Sequence, residues 1–175
     1  MFKKSFFILL ILFSVILNAQ TDVVSMIGVL EHLYDPIGAL TDMTKTLCQG
    51  GIMIHRVDLR DHGMFPNFHP LTLLTFSDKV HKYMTVGSGR PNRVLVNQYR
   101  DFLKEAGISG NIRITRLVGI NKEFEPVDWK NLDKQYQLTA IKSINLIRPR
   151  LNDKFKSLSD EDLATAGFVL VANQN

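Results

Sequence analysis

Two residues whose types could do proton chemistry stand side by side at Glu31 and His32, immediately after the apolar run from Val23 to Leu30. A carboxylate can orient or neutralise a neighbouring group. A histidine near neutral pKa can accept a proton from a nucleophile, so the pair is the candidate catalytic unit. A second set, His55, Asp58, Asp61 and His62, lies at and just beyond the end of a later apolar run, and Arg93 follows a glycine-containing turn. Asp58, His62 and Arg93 are candidates for contacting a substrate, the arginine as a partner for a carboxylate or phosphate. Strand alternation puts His55 and Asp58 on opposite faces. No cluster at the short ligand spacings of a zinc site accompanies them, so no metal is expected.

These residues need a scaffold. Val23, Val24, Met26, Ile27, Val29 and Leu30 read as a strand covered on both faces in a parallel sheet. Glu31 and His32 then fall at its carboxyl end, where open α/β sheets bind ligands. Asp35 caps a helix that Pro36 opens, and Ile37, Leu40, Met43 and Leu47 recur at helical spacing up to Gln49-Gly50-Gly51. Ile52, Ile54, Val57 and Leu59 follow as a second strand, joined to the first by a parallel crossover. Cys48, the sole cysteine, falls near the end of that helix and is expected to be buried and inert. A lone cysteine forms no intramolecular disulfide and leaves the redox compartment open.

From Arg60 to Gly89 the pattern loosens into loop chemistry, with Ser77 capping a small helix, as in a segment that covers a substrate. A helix over about Val96 to Ala106 buries Tyr99, Phe102, Leu103 and Ala106 and stops at Gly107. Ile112, Ile114, Leu117 and Val118 suggest a strand. Asn121 to Ala166 is mostly polar around an amphipathic stretch, Leu138 to Ile147, which Pro149 ends. Ser159 caps a short turn, and Phe168 to Ala172 is a closing strand.

The ordered set resembles class I S-adenosylmethionine-dependent methyltransferases over Asp22 to about Ala172. It comprises a strand beginning with Asp22, the Leu30-Glu31-His32 turn, the Asp35-Pro36 helix start and Gly50-Gly51 before the next strand. The His55 to His62 stretch and Asn92-Arg93 are similar to a bacterial subgroup of that family. The resemblance implies an α/β fold, an incomplete Rossmann-like methyltransferase sheet of strands four to seven with helices on both faces and the last strand antiparallel. It implies S-adenosylmethionine as cofactor, with Met26, Ile27 and Gly28 beside its amino-acid end, Glu31 and His32 as catalytic candidates, and a small-molecule or glycan substrate. Gly87 and Gly89 do not follow a strand and are succeeded by Pro91, so they do not form the glycine-rich cofactor turn.

Upstream, Lys3-Lys4, an apolar stretch of about 12 residues from Phe6 to Leu17, and Asn18-Ala19-Gln20 have the three parts of a signal peptide. The expected organisation is a leader over residues 1–20 and a methyltransferase-like domain, truncated at its front, over 21–175. That domain on its own is expected to bind the cofactor weakly or not at all. If the leader acts as a signal peptide the protein is exported; if the start is misplaced it is cytoplasmic. An exported, non-catalytic binding protein retaining part of the fold is the alternative. Net charge is +4, and about +2 without Lys3 and Lys4. That is too weak to draw nucleic acid. Membrane contact is expected only through the leader.

Overall fold

The computed structural model describes residues 21–174, so the leader-like segment and the expectations that rest on it lie outside the described residues. Five strands form one sheet in the order β1-β2-β5-β3-β4. They are β1 (Thr21–Ile27), β2 (Leu47–Asp58), β3 (Ser109–Leu117), β4 (Glu123–Val127) and β5 (Thr165–Asn173). β1 and β2 are parallel, and β5 runs antiparallel between β2 and β3. Six helices accompany them: α1 (Pro36–Thr44), α2 (Asp78–Thr85), α3 (Val96–Glu105), α4 (Lys134–Ile147), α5 (Asp153–Lys156) and α6 (Asp160–Ala164). No helix among the described residues is long and apolar enough to cross a membrane.

Alternation decides which side chains reach the core. Met26 of β1, Met53 and Val57 of β2, and Phe168, Leu170 and Ala172 of β5 turn to one face. There they meet Leu40 and Met43 of α1 and Val96, Tyr99, Phe102 and Leu103 of α3. A second cluster gathers around Ala140, Ile144 and Ile147 of α4, with Ile114, Leu117, Phe155 and Leu163.

Several expectations change. β1 was read as covered on both faces, yet among the described residues it is an edge strand, with Val23 56 % and Ile27 73 % exposed. Ile54 of β2 is also exposed, so among the described residues helices on both faces do not hold along β1 and β2: α1 and α3 cover one side. The first helix ends at Thr44 rather than near Gln49. Thr44 and Thr46 hydroxyls donate to the carbonyls of Thr41 and Met43, and Leu47 joins the ladder opposite Thr21.

Cys48 therefore lies in β2, half-buried, its thiol donating to Asp22 Oδ1 at 3.0 Å. That hydrogen bond, followed by burial, pushes the thiol pKa up and so disfavours the thiolate. β4 went unread because its Glu123-Phe-Glu-Pro-Val composition is polar and contains a proline, which an edge strand tolerates. The sheet thus has five strands where four were expected. α4 begins four residues before Leu138, at a cap where Asp133 accepts from the Gln135 amide, and Leu138 is exposed. Ala106 sits in the cap beyond the last packed turn of α3 and is exposed, while Gly107 takes the left-handed φ of +63° expected of it.

Candidate functional site

The carboxyl ends of two adjacent parallel strands lie at the same rim of the sheet, so the loops that leave them meet. After β1 the chain turns sharply at Gly28, whose φ of +66° is in the region that favours glycine. It then forms one 3-10 turn, Leu30–His32. Leu30 is buried as an anchor, which draws Glu31 inward to 1 % exposure, and His32 points to the rim, half-buried. After β2 the loop is shaped by Asp61, whose carboxylate accepts from the amides of Gly63 and Phe65. Between Asp61 and Gly63, His62 is held at a φ of +52°, a conformation uncommon outside glycine.

The two loops bring Glu31, His32 and His62 together. A carboxylate oxygen of the first and one ring nitrogen of each histidine all lie within 4.8 Å of one another. The two imidazoles meet edge-on, 4.8 Å between centroids. His32 Nδ1 lies 2.7 Å from the Gly89 carbonyl, which can only accept, so Nδ1 carries the proton and Nε2 keeps the lone pair of the neutral ring.

Neither carboxylate oxygen of Glu31 makes a hydrogen bond of good geometry. Burial pushes its pKa up; its own amide, His32, the Asp58 amide and His62 pull the other way without cancelling the shift. The phenol of Tyr99, fully buried and also without a partner, is raised by burial and then by the Glu31 charge. His55, 0 % exposed on the inner face of β2, has no hydrogen bond on either ring nitrogen, and burial lowers its pKa to about 4.

The other sequence candidates divide. Asp58 is half-buried beside the cluster, its Oδ2 3.9 Å from His62 Nε2, but Arg60 already holds it through backbone and guanidinium. Burial raises its pKa, and the Arg60 contacts outweigh that and lower it. Arg93 is not part of the cluster. Its buried guanidinium donates to the Phe76 carbonyl at 2.5 Å, pairs with Asp78 at the start of α2 and lies over the Phe155 ring. Met26 faces the core, Ile27 the open side of the sheet, and Gly28 the turn.

The residue that sequence reasoning undervalued is Asn92. Its side-chain amide donates to the carbonyls of Leu30 and Leu33, its backbone amide donates to Glu31 O, and its Oδ1 accepts from Val94. The Asn92-Arg93 pair was visible as a motif, but the charge of the arginine drew attention from the asparagine that clamps the turn. The glycines before it also act on the site: the Gly87 amide donates to the Tyr34 hydroxyl, and Gly89 holds His32. A groove of about 280 Å³ opens beside His32, lined by Tyr34, His81, Lys82, Val86 and Gly89.

A nucleoside cofactor at this rim requires a glycine-rich turn joining a strand to a helix N-terminus. Among the described residues none does so, since Gly87 and Gly89 join α2 to α3 and are occupied with Tyr34 and His32.

No protein-family model matches this sequence, and no curated protein matches it. Among solved structures, a complex of the Haloferax volcanii Trm112 methyltransferase activator with a protein assigned as a methyltransferase matches at TM-score 0.42 and 12 % identity. The match covers 89 % of this chain and 54 % of that one. A SAM-dependent methyltransferase from Archaeoglobus fulgidus matches at 0.41 and 11 %, over 88 % and 59 %. A Bacillus halodurans C-125 protein assigned as a methyltransferase matches at 0.38 and 13 %, over 89 % and 64 %. The chain thus spans between about half and two thirds of the length of those structures. At such scores the likeness carries no argument about chemistry, and the site rests on its own residues.

Proposed function

We propose that this chain belongs to an S-adenosylmethionine-dependent methyltransferase-like protein acting on a small molecule or glycan, and that β1, β2, β3 and β5 correspond to strands four to seven of that fold, with β4 added at the edge. The observation that carries this reading is the placement of β5, antiparallel between β2 and β3, in a sheet whose parallel β1 leads through Gly28 into the Leu30–His32 turn. The open apolar face at Val23, Ile27 and Ile54 and the edge position of β1 fit a sheet that continues beyond β1.

In this reading Met26, Ile27 and Gly28 would border the amino-acid end of the donor, whose sulfonium would supply the methyl group. The chain's own residues position an acceptor hydroxyl and take its proton. His32 is suited to that: Gly89 fixes its tautomer and leaves Nε2 basic. Glu31, beneath it, stabilises the imidazolium that forms. His62 and Asp58 border the acceptor, and Arg93 contributes by holding α2, whose residues line the groove beside His32.

Calorimetric titration of S-adenosylmethionine into the full chain tests the reading, with S-adenosylhomocysteine as competitor. Weak binding, in the millimolar range and displaced by the competitor, is expected of one wall of a site. Micromolar affinity contradicts the strand-four-to-seven assignment; binding the competitor does not displace, or none at all, contradicts the cofactor assignment.

A further inference from the structure

A carboxylate taken out of water without a hydrogen bond of good geometry or a permanently charged partner is costly, and the folded chain retains one at Glu31. No lysine or arginine among the described residues hydrogen-bonds to it. What stands beside it instead is two imidazoles. One comes from its own turn and one from the loop after β2, each with a ring nitrogen within 4.8 Å of a Glu31 oxygen and of the other histidine.

Three further observations point the same way. His32 donates Nδ1–H to a backbone carbonyl, the support that fixes a metal-ligating histidine with its other nitrogen free. His62 is at the surface, on a loop held by Asp61, and its ring is 3.9 Å from Asp58, too far for a hydrogen bond. Its imidazole thus has no hydrogen bond to Asp58 to break before it could ligate. The donor set, two nitrogens and one carboxylate oxygen, is that of catalytic rather than structural transition-metal sites, which keep a position open for water or substrate.

We propose that Glu31, His32 and His62 form a binding site for a divalent first-row transition ion, with Zn²⁺ as the ion the donor set fits, and with its remaining position directed to an oxygen ligand. Bonds of about 2.0–2.2 Å in a tetrahedral site leave ligand atoms roughly 3.4 Å apart. Closing the present spacing requires about an ångström of movement, which the surface position of His62 allows. The ion supplies the positive charge that the buried carboxylate lacks. Sequence spacing could not reveal the site, because its ligands come from two loops that only strand pairing brings together. The proposal does not depend on methyl transfer, since the three side chains define it without a cofactor, and with the ion bound His32 Nε2 is its ligand and no longer the base of the preceding reading.

The test is calorimetric titration of Zn²⁺ into the chelator-stripped full chain, without S-adenosylmethionine, alongside His62→Ala and the His32→Ala/His62→Ala double variant. Circular dichroism checks that each variant folds. One ion per chain is expected, with affinity lowered about 100-fold or more in His62→Ala and binding lost in the double variant. Co²⁺ should give the visible absorption of a tetrahedral site in the wild type alone. Absence of binding in the wild type, or equal affinity and the same cobalt spectrum in the folded double variant, overturns the proposal.

Discussion

The backbone amide of Asn92 donates to the Glu31 carbonyl at 2.7 Å, and the Asn92 side-chain amide donates to the carbonyls of Leu30 and Leu33 at 2.9 Å each. One residue, 62 positions from Leu30, thus satisfies three carbonyls of the turn that carries both candidate catalytic groups. The turn is too short to hold its own geometry through internal hydrogen bonds, and its shape is imposed by tertiary contact.

Replacing Asn92 with alanine removes three side-chain bonds, the two donated to the Leu30 and Leu33 carbonyls and the one accepted from the Val94 amide, and leaves the Leu33 carbonyl and the Val94 amide to find water. A loss of about 2 kcal/mol in urea denaturation is expected. Amide exchange should quicken at Leu33, whose N–H closes the turn onto Leu30. A stability change within about 0.5 kcal/mol, as for an ordinary surface substitution, would show that the clamp contributes nothing.

Glu31→Gln should stabilise the metal-free chain at neutral pH. The folded state raises the Glu31 pKa, so its favourable contribution is complete below the unfolded value of 4.5 and is lost as pH rises through the folded one. Chemical denaturation in the presence of a chelator should therefore show the variant ahead of the wild type at pH 7, with the gap closing as the pH falls below 4.5. A variant less stable than the wild type at pH 7 contradicts the uncompensated charge.

His55 gives the opposite dependence. Its pKa is about 4 in the fold against 6.5 for the unfolded chain, so stability is full above the unfolded value and declines as pH falls toward the folded one. The window from about pH 6.5 to 4 carries about 3 kcal/mol. His55→Leu should remove that slope, measured as the difference between the two proteins across the window. A parallel pH profile in both would mean that the ring is hydrated in the fold.

Much of this could be read in the chain, and the failures have physical causes. Asp35 and Pro36 announced α1, Ser77 announced α2, Gly107 stopped α3, and Ser159 capped α6, because caps are local chemistry. The apolar runs located β1, β2, β3 and β5, but periodicity does not say whether a run is central or at an edge, so β1 was taken as covered on both sides. β4 was hidden by its proline and its charges. At the site, Glu31 and His32 were legible as neighbours in sequence. Their meeting with His62 depends on the parallel pairing of β1 and β2, and the clamp from Asn92 depends on the fold of the segment between.

Gly28→Ala should cost about 1–2 kcal/mol, because φ is +66° there while the space for a methyl group is adequate, with Glu31 Oε1 3.8 Å away. The loss would come from backbone strain at the exit of β1. Thermal denaturation measures it. An unchanged midpoint would mean that the turn relaxes at no expense and does not fix Glu31.

The most direct measurement of the central claim is a backbone amide chemical-shift map of the full chain titrated with S-adenosylmethionine to millimolar concentration. The account predicts shifts concentrated at Met26, Ile27 and Gly28 and in the Glu31-His32 turn, at the carboxyl end of β1. Shifts centred elsewhere, or none at these residues at the highest concentration, would contradict it.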